Sequence, residues 1–177
     1  MVDVRFYKYV VNSQVFYKSK HTYALVNLKP LVPGHVLVVP LRTSVLRFAD
    51  LTKEESYDYM DTLQLVHKFI ISVYKADSLN IAIQDGPESG QSIPHLHTHL
   101  IPRFKSDGYG DSIHTKIERS DLEEGYKEFE DRKFAFGKSA SMLVNIDVLR
   151  VARSEEVMRK EASWLAAELI KFTSESE

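Results

Sequence analysis

The chain has 177 residues, of which 44% are hydrophobic and 27% charged, with a formal net charge of −2. Such a length supports one domain with a substantial core and no staples, and so small a charge argues against a polybasic nucleic-acid binder. Without cysteine, disulfides, thiolate zinc sites and cysteine nucleophiles are excluded.

Residues 1–8 carry no apolar h-region followed by a small-residue cleavage site. No stretch approaches the length of a bilayer-spanning helix, so the expectation is a non-membrane protein of the cytoplasm, nucleus or mitochondrion. Short β-branched runs at Val10–Val11, Val15–Tyr17 and Tyr23–Val26 predict strands. Pro33-Gly34 marks a turn, and His35–Val39 follows as a strand closed by Pro40. A connection that short makes the pair antiparallel.

Thr52 with Glu55 forms a capping box ahead of a helix over 53–74, whose apolar face is Met60, Leu63, Val66, Ile70 and Val73. Leu79–Gln84 alternates as a strand. Asp85–Ser92 is rich in turn formers and leads into the next strand. Residues 104–140 are polar, contain glycine and show no sustained period, which predicts a long loop. Leu143–Val151 is compatible with a strand or an extended linker. Ser154 caps a terminal helix at about 155–173, with Glu155 and Glu156 in its first turn and Met158, Ala162, Leu165, Leu169 and Phe172 on its apolar face. The class is α+β: an antiparallel sheet of about five strands covered by two helices.

His95-Leu96-His97-Thr98-His99 is the most informative segment. In an extended chain alternate side chains share a face, which puts three imidazoles together at spacings of roughly 6.6 Å. Not all can be charged at once. Two chemistries remain open from the residues alone. Neutral imidazoles at i and i+2 can share a zinc, although no carboxylate lies close in sequence to complete or orient the ligands. Alternatively, the central imidazole attacks phosphorus while its neighbours set its tautomer and handle protons. The glycine-containing turn just before, with backbone amides of Gly90, Gln91 and Ser92, favours phosphate chemistry. It is not a Walker loop, since no Gly-Lys-Ser/Thr follows.

These residues resemble the histidine triad superfamily. Ala24–Asn27, Pro33–Val38 and Gln84–Gln91 are similar to its Fhit (fragile histidine triad) branch, and to fungal members in particular. The resemblance covers about residues 5 to 105, lapses over 106–153, where the segment is longer and more polar than expected of the family, and resumes at Ser154. It implies a single histidine-triad domain over 1–177 that hydrolyses dinucleoside polyphosphates, such as diadenosine triphosphate to AMP and ADP, or the tetraphosphate.

The resemblance makes His97 the nucleophile that becomes adenylylated and His99 a phosphate ligand that helps move protons. His95 orients its neighbours, and His35 is the fourth histidine of the chain. Gln84, Gly90, Gln91, Ser92 and Ile93 line the phosphate side, while Asn27 meets the ribose. It further implies a homodimer and magnesium or manganese carried with the polyphosphate, with no tightly bound metal. Two alternatives are a Hint-type adenosine phosphoramidase and a slowly turning nucleotide-binding signalling module. Arg103 and Lys105 read as solvated charges, Trp164 as a packing residue, and His21, His67 and His114 carry no catalytic assignment.

Overall fold

In the computed structural model, residues 2–115, 117 and 152–175 are described. A two-strand hairpin, β1 (Arg5–Phe6) and β2 (Tyr9–Val10), opens the chain, with Tyr7 at its tip in the left-handed region at φ 56°. Five strands then build one antiparallel sheet: β3 (Val15–Lys18), β4 (Thr22–Val26), β5 (Val36–Pro40), β6 (Ser78–Ile83) and β7 (Thr98–Arg103). Their spatial order is β3-β4-β5-β7-β6. Helix α1 (Lys53–Tyr74) is inserted between β5 and β6, and α2 (Glu155–Ser174) ends the fold. No helix among the described residues is long and apolar enough to cross a membrane.

Both helices cover one face of the sheet. Ala24, Val26, Val36, Val38 and Leu100 meet Val66, Phe69 and Ile70 of α1 and Met158, Ala162 and Leu165 of α2 in a single buried cluster. The other face carries Tyr23, Leu25, Leu37 and Val39, packed against Val4 and Val11 from the N-terminal segment. Burial on both faces explains why β4 and β5 read as continuous apolar runs rather than as alternating ones.

The capping box at α1 forms as the sequence indicates, Thr52 Oγ1 accepting from Glu55 N at 3.2 Å and Glu55 Oε2 accepting from Thr52 N at 2.8 Å. Arg42 also grips Glu55, with Nε and Nη2 each 2.7 Å from a carboxylate oxygen. That pairing holds the Glu55 carboxyl down at about 2.

Four expectations change. Met60 is 48% exposed, and Tyr59 takes the buried place beside it, its hydroxyl bonded to Val38 O and Thr98 Oγ1. Ladder pairing begins only at Thr98, so His95 and His97 lie in the chain entering β7. The loop expected from residue 104 turns helical at 112–115 and 117, where Ile113 and Ile117 pack on Ile101. Arg103 is not a solvated charge: Asp107 holds it at 2.7 Å, with Asn80 beside it. The remainder of the polar segment, and Leu143–Val151, lie outside the described residues.

Candidate active site

The site sits on the sheet face opposite the helices. The register pairs Val15 with Leu25, Leu25 with Leu37, Leu37 with His99 and His99 with Ala82, one row across all five strands. Continuing the β6–β7 register by one residue beyond Ile83 and Thr98 sets Gln84 alongside His97. Neither atom of the buried Gln84 amide meets a hydrogen-bond partner among the described residues.

His97 Nδ1 lies 2.8 Å from the carbonyl of His95. A carbonyl only accepts, so Nδ1 carries a proton, and in the neutral ring the lone pair is on Nε2. His97 also lines the cleft described below. The tautomer is set by backbone geometry.

The second chain of bonds starts from another backbone group. Leu31 N–H donates to His35 Nδ1 at 3.1 Å, which puts the His35 proton on Nε2. That nitrogen is 3.0 Å from His99 Nδ1, so His99 accepts there and carries its own proton on Nε2. Asn27 Nδ2 approaches the same His35 nitrogen at 3.2 Å, while Asn27 Oδ1 accepts from Lys29 N at 3.0 Å. Asn27 is therefore a turn residue and a cleft residue at once. Burial first, then the His97 and His35 rings, keep His99 well below the ordinary histidine value. Burial thus favours the neutral form of His95 and His99, each of which then offers one directional donor and one acceptor.

His95 is placed differently. Its Nδ1 accepts the Tyr7 backbone N–H at 3.0 Å, and its ring packs on Phe6 at a centroid distance of 5.7 Å. Burial, with a smaller contribution from His97, pushes it down to about 4 against the pull of the Pro40 and Arg42 carbonyls. Its ring is not part of the cleft wall; its carbonyl is what touches His97.

The turn before the histidines is self-contained. Gly90 N donates to Pro87 O at 3.0 Å and Gln91 N to Gly86 O at 3.1 Å. The Gln91 side chain accepts from Gly86 N and donates to the carbonyls of Leu46 and Ile93. The amides expected of Gly90 and Gln91 are thus spent within the turn, and Ser92 and Ile93 are the members that reach the cleft.

That cleft encloses about 570 Å³ and runs from His97 and His99 over Leu37 and Leu25 to the N-terminal hairpin. The volume suits a small nucleotide-sized ligand. Among the described residues no group of three or more His, Asp or Glu side chains is disposed to hold a metal ion.

The HIT domain matches residues 8–106, more than half of the chain. The chain belongs to the HIT domain family. Its relatives include the bis(5'-adenosyl)-triphosphatase of Saccharomyces cerevisiae, 49% identical over 97% of this chain and 94% of that protein. The asymmetrical bis(5'-nucleosyl)-tetraphosphatase of Schizosaccharomyces pombe is 40% identical over 90% of this chain and 91% of its own length. Among solved structures, the diadenosine triphosphate hydrolase of Plasmodium falciparum in complex with cyclomarin A superposes with a TM-score of 0.68 at 25% identity, covering 96% of this chain and 85% of that one. The NitFhit protein of C. elegans gives a TM-score of 0.66 at 26% identity over 94% of this chain and 30% of that one. The Fhit-like branch read from Gln84–Gln91 agrees with these relatives.

Two contributors to this HIT site were not read from the sequence. Phe6 sets its ring edge-on to His97 at 5.3 Å, and the Tyr7 amide orients His95. The visible signal was a Phe-Tyr pair flanked by Arg5 and Lys8. Arg153 is the second, bonding the Asn27 carbonyl from just before α2. A single arginine in a segment without period gave no signal.

Proposed function

We propose that this chain is a dinucleoside polyphosphate hydrolase working through a covalent adenylyl-His97. The observation that carries the reading is that the His95 carbonyl holds His97 Nδ1 while the His97 side chain lines the cleft, which leaves Nε2 as the ring nitrogen to present to a ligand. Nε2 attacks the α-phosphorus in line with the bridging oxygen, and a phosphorus–nitrogen bond forms as the phosphorus–oxygen bond breaks. ADP leaves from diadenosine triphosphate with the bridging electron pair. The positive charge this places on the imidazole is held by the His95 carbonyl at Nδ1. His99 Nε2–H donates to a phosphate oxygen, its aim set through His35 by Leu31 N–H. Gln84 offers its buried amide beside His97 to the bridging atoms, Ser92 and Ile93 border the phosphates, and Asn27 meets the ribose. Water then attacks phosphorus, the phosphorus–nitrogen bond breaks, and AMP departs with His97 neutral again.

Magnesium or manganese is proposed to travel with the substrate and neutralise its polyphosphate. The relatives named above support the substrate class, and the whole of 1–177 is proposed as one domain. A homodimer is proposed as well; β6 leaves one sheet edge open with Ile81 exposed on it, and its test is light scattering at micromolar concentration. A cysteine-free chain suits a reducing compartment, and cytoplasm, nucleus and mitochondrion are the proposed settings.

The test is product analysis with diadenosine triphosphate and magnesium. Equimolar AMP and ADP are expected, with His97→Asn losing turnover while retaining nucleotide affinity to within about tenfold. Near-normal hydrolysis by His97→Asn would remove the nucleophile from the scheme, and faster cleavage of an adenosine phosphoramidate would move the chain to the Hint type.

A further inference from the structure

We infer that Gln14 reads the nucleobase and makes the site selective for adenine. The inference rests on the nucleotide assignment above and deepens it. From His99, where the phosphate end lies, the row His99–Leu37–Leu25–Val15 crosses three strand spacings, about 14 Å. That span leaves room for an extended 5'-nucleotide with a hydrogen bond at its phosphate end and another at the outer edge of its base. Gln14, the last residue of a short 3-10 turn and the neighbour of Val15, lines the cleft at this far end.

The surrounding wall is apolar, built from Phe6, Val10, Val11, Leu25 and Leu37. Such a wall accepts the flat face of any base and distinguishes none of them. Asn27, Ser92, His97 and His99 are occupied with the phosphate and ribose end. Tyr9 lies 45% exposed with the Lys8 ammonium 5.4 Å from its ring centroid. Gln14 is the side-chain amide of the base end. It is half-buried, and no hydrogen bond from the described residues engages it.

A carboxamide presents a donor and an acceptor side by side. Adenine offers the complement at its outer edge, with N6–H to give and N7 to receive. Guanine presents two acceptors there, O6 and N7, so the amide oxygen faces a lone pair and one of the two bonds is lost. Arginine at this position would invert the preference, since its paired donors match O6 and N7 of guanine. Discrimination therefore comes from one side chain, which a substitution can remove or reverse.

The test is calorimetric binding of AMP and GMP at fixed salt to the wild type, Gln14→Leu and Gln14→Arg, with hydrolysis of diadenosine triphosphate followed in parallel. The wild type is expected to bind AMP at least fivefold more tightly than GMP. Gln14→Leu brings the ratio within twofold of unity, and Gln14→Arg reverses it; using the ratio cancels any general attraction of the new cation for phosphate. A ratio in both variants within twofold of the wild-type value, or a wild type without preference, overturns the assignment to Gln14 while leaving the hydrolase reading intact. A wild type that neither binds AMP nor cleaves the dinucleotide overturns both.

Discussion

At the scale of single residues, the site works by fixing where each imidazole proton sits. The His95 carbonyl decides His97, and the Leu31 amide decides His35 and then His99. The sign of the pH effect follows from burial. His95 and His99 are harder to protonate folded than unfolded, so acid favours the unfolded chain. For His95 that loss begins as pH falls below about 6.5 and is complete near about 4, its folded value. Imidazole 15N spectra at pH 6 should show both rings neutral, His95 with its proton on Nε2, and a His95 midpoint near 4. A charged His95 at pH 6 contradicts the assignment. The three alternating histidines announced this chemistry in the sequence. Which nitrogen carries each proton was not legible there, because three backbone groups decide it, the His95 carbonyl and the Leu31 and Tyr7 amides.

At the scale of elements, the segment that leads into the terminal helix secures Asn27, a residue of the cleft, from behind. Arg153 bonds the Asn27 carbonyl and pairs with Glu161, whose carboxylate also accepts from the Tyr74 hydroxyl at 3.0 Å. Arg153→Ala should cost about 2–3 kcal/mol, the worth of a charge-assisted bond whose partner is left behind. Its effect on catalysis should fall on KM, raised about tenfold with kcat within threefold, because Asn27 is proposed to meet the ribose and not the reacting phosphorus. Steady-state kinetics separate the two. Tyr74 also lies against Gly34, where an added Cβ would come within 2.7 Å of the ring at a φ of +82°. Gly34→Ala should therefore lower stability by at least about 2 kcal/mol in urea unfolding. Pro33-Gly34 was legible as a turn; the ring packed on it, from a helix forty residues away, was not.

At the scale of the whole molecule, the sheet separates two tasks. Its helix-covered face supplies the core, and its opposite face, roofed by the N-terminal hairpin, supplies the chemistry. Periodicity recovered what the core dictates: α1 and its capping box, α2, and the strands of the sheet. It failed where tertiary contacts override local pattern. Met60 fits an apolar stripe on spacing alone yet faces outward, and the polar segment after β7 becomes helical where Ile113 and Ile117 can cover Ile101. Of the N-terminal hairpin only Val10 was read as strand, and its partner Arg5–Phe6 was not, because each strand has two residues. The Arg42–Glu55 pair joins the end of β5 to the start of α1 and gives the fold an acid-sensitive clasp. Because the carboxyl is held at about 2 when folded against 4.5 as reference, its contribution is full above about pH 4.5 and is lost as pH falls toward 2. Glu55→Gln should thus lose less stability than the wild type between those limits, as unfolding midpoints at stepped pH will report.

In the proposed reaction the adenylyl phosphorus passes through the ring of His97. Rapid quench of the wild type with diadenosine triphosphate labelled at the α-phosphorus measures this directly. The expected result is acid-labile, base-stable label on the protein, adding the mass of one adenylyl group to the peptide that holds His97, and none on His97→Asn. Steady turnover of the wild type to AMP and ADP with no labelled protein at any quench time would contradict it.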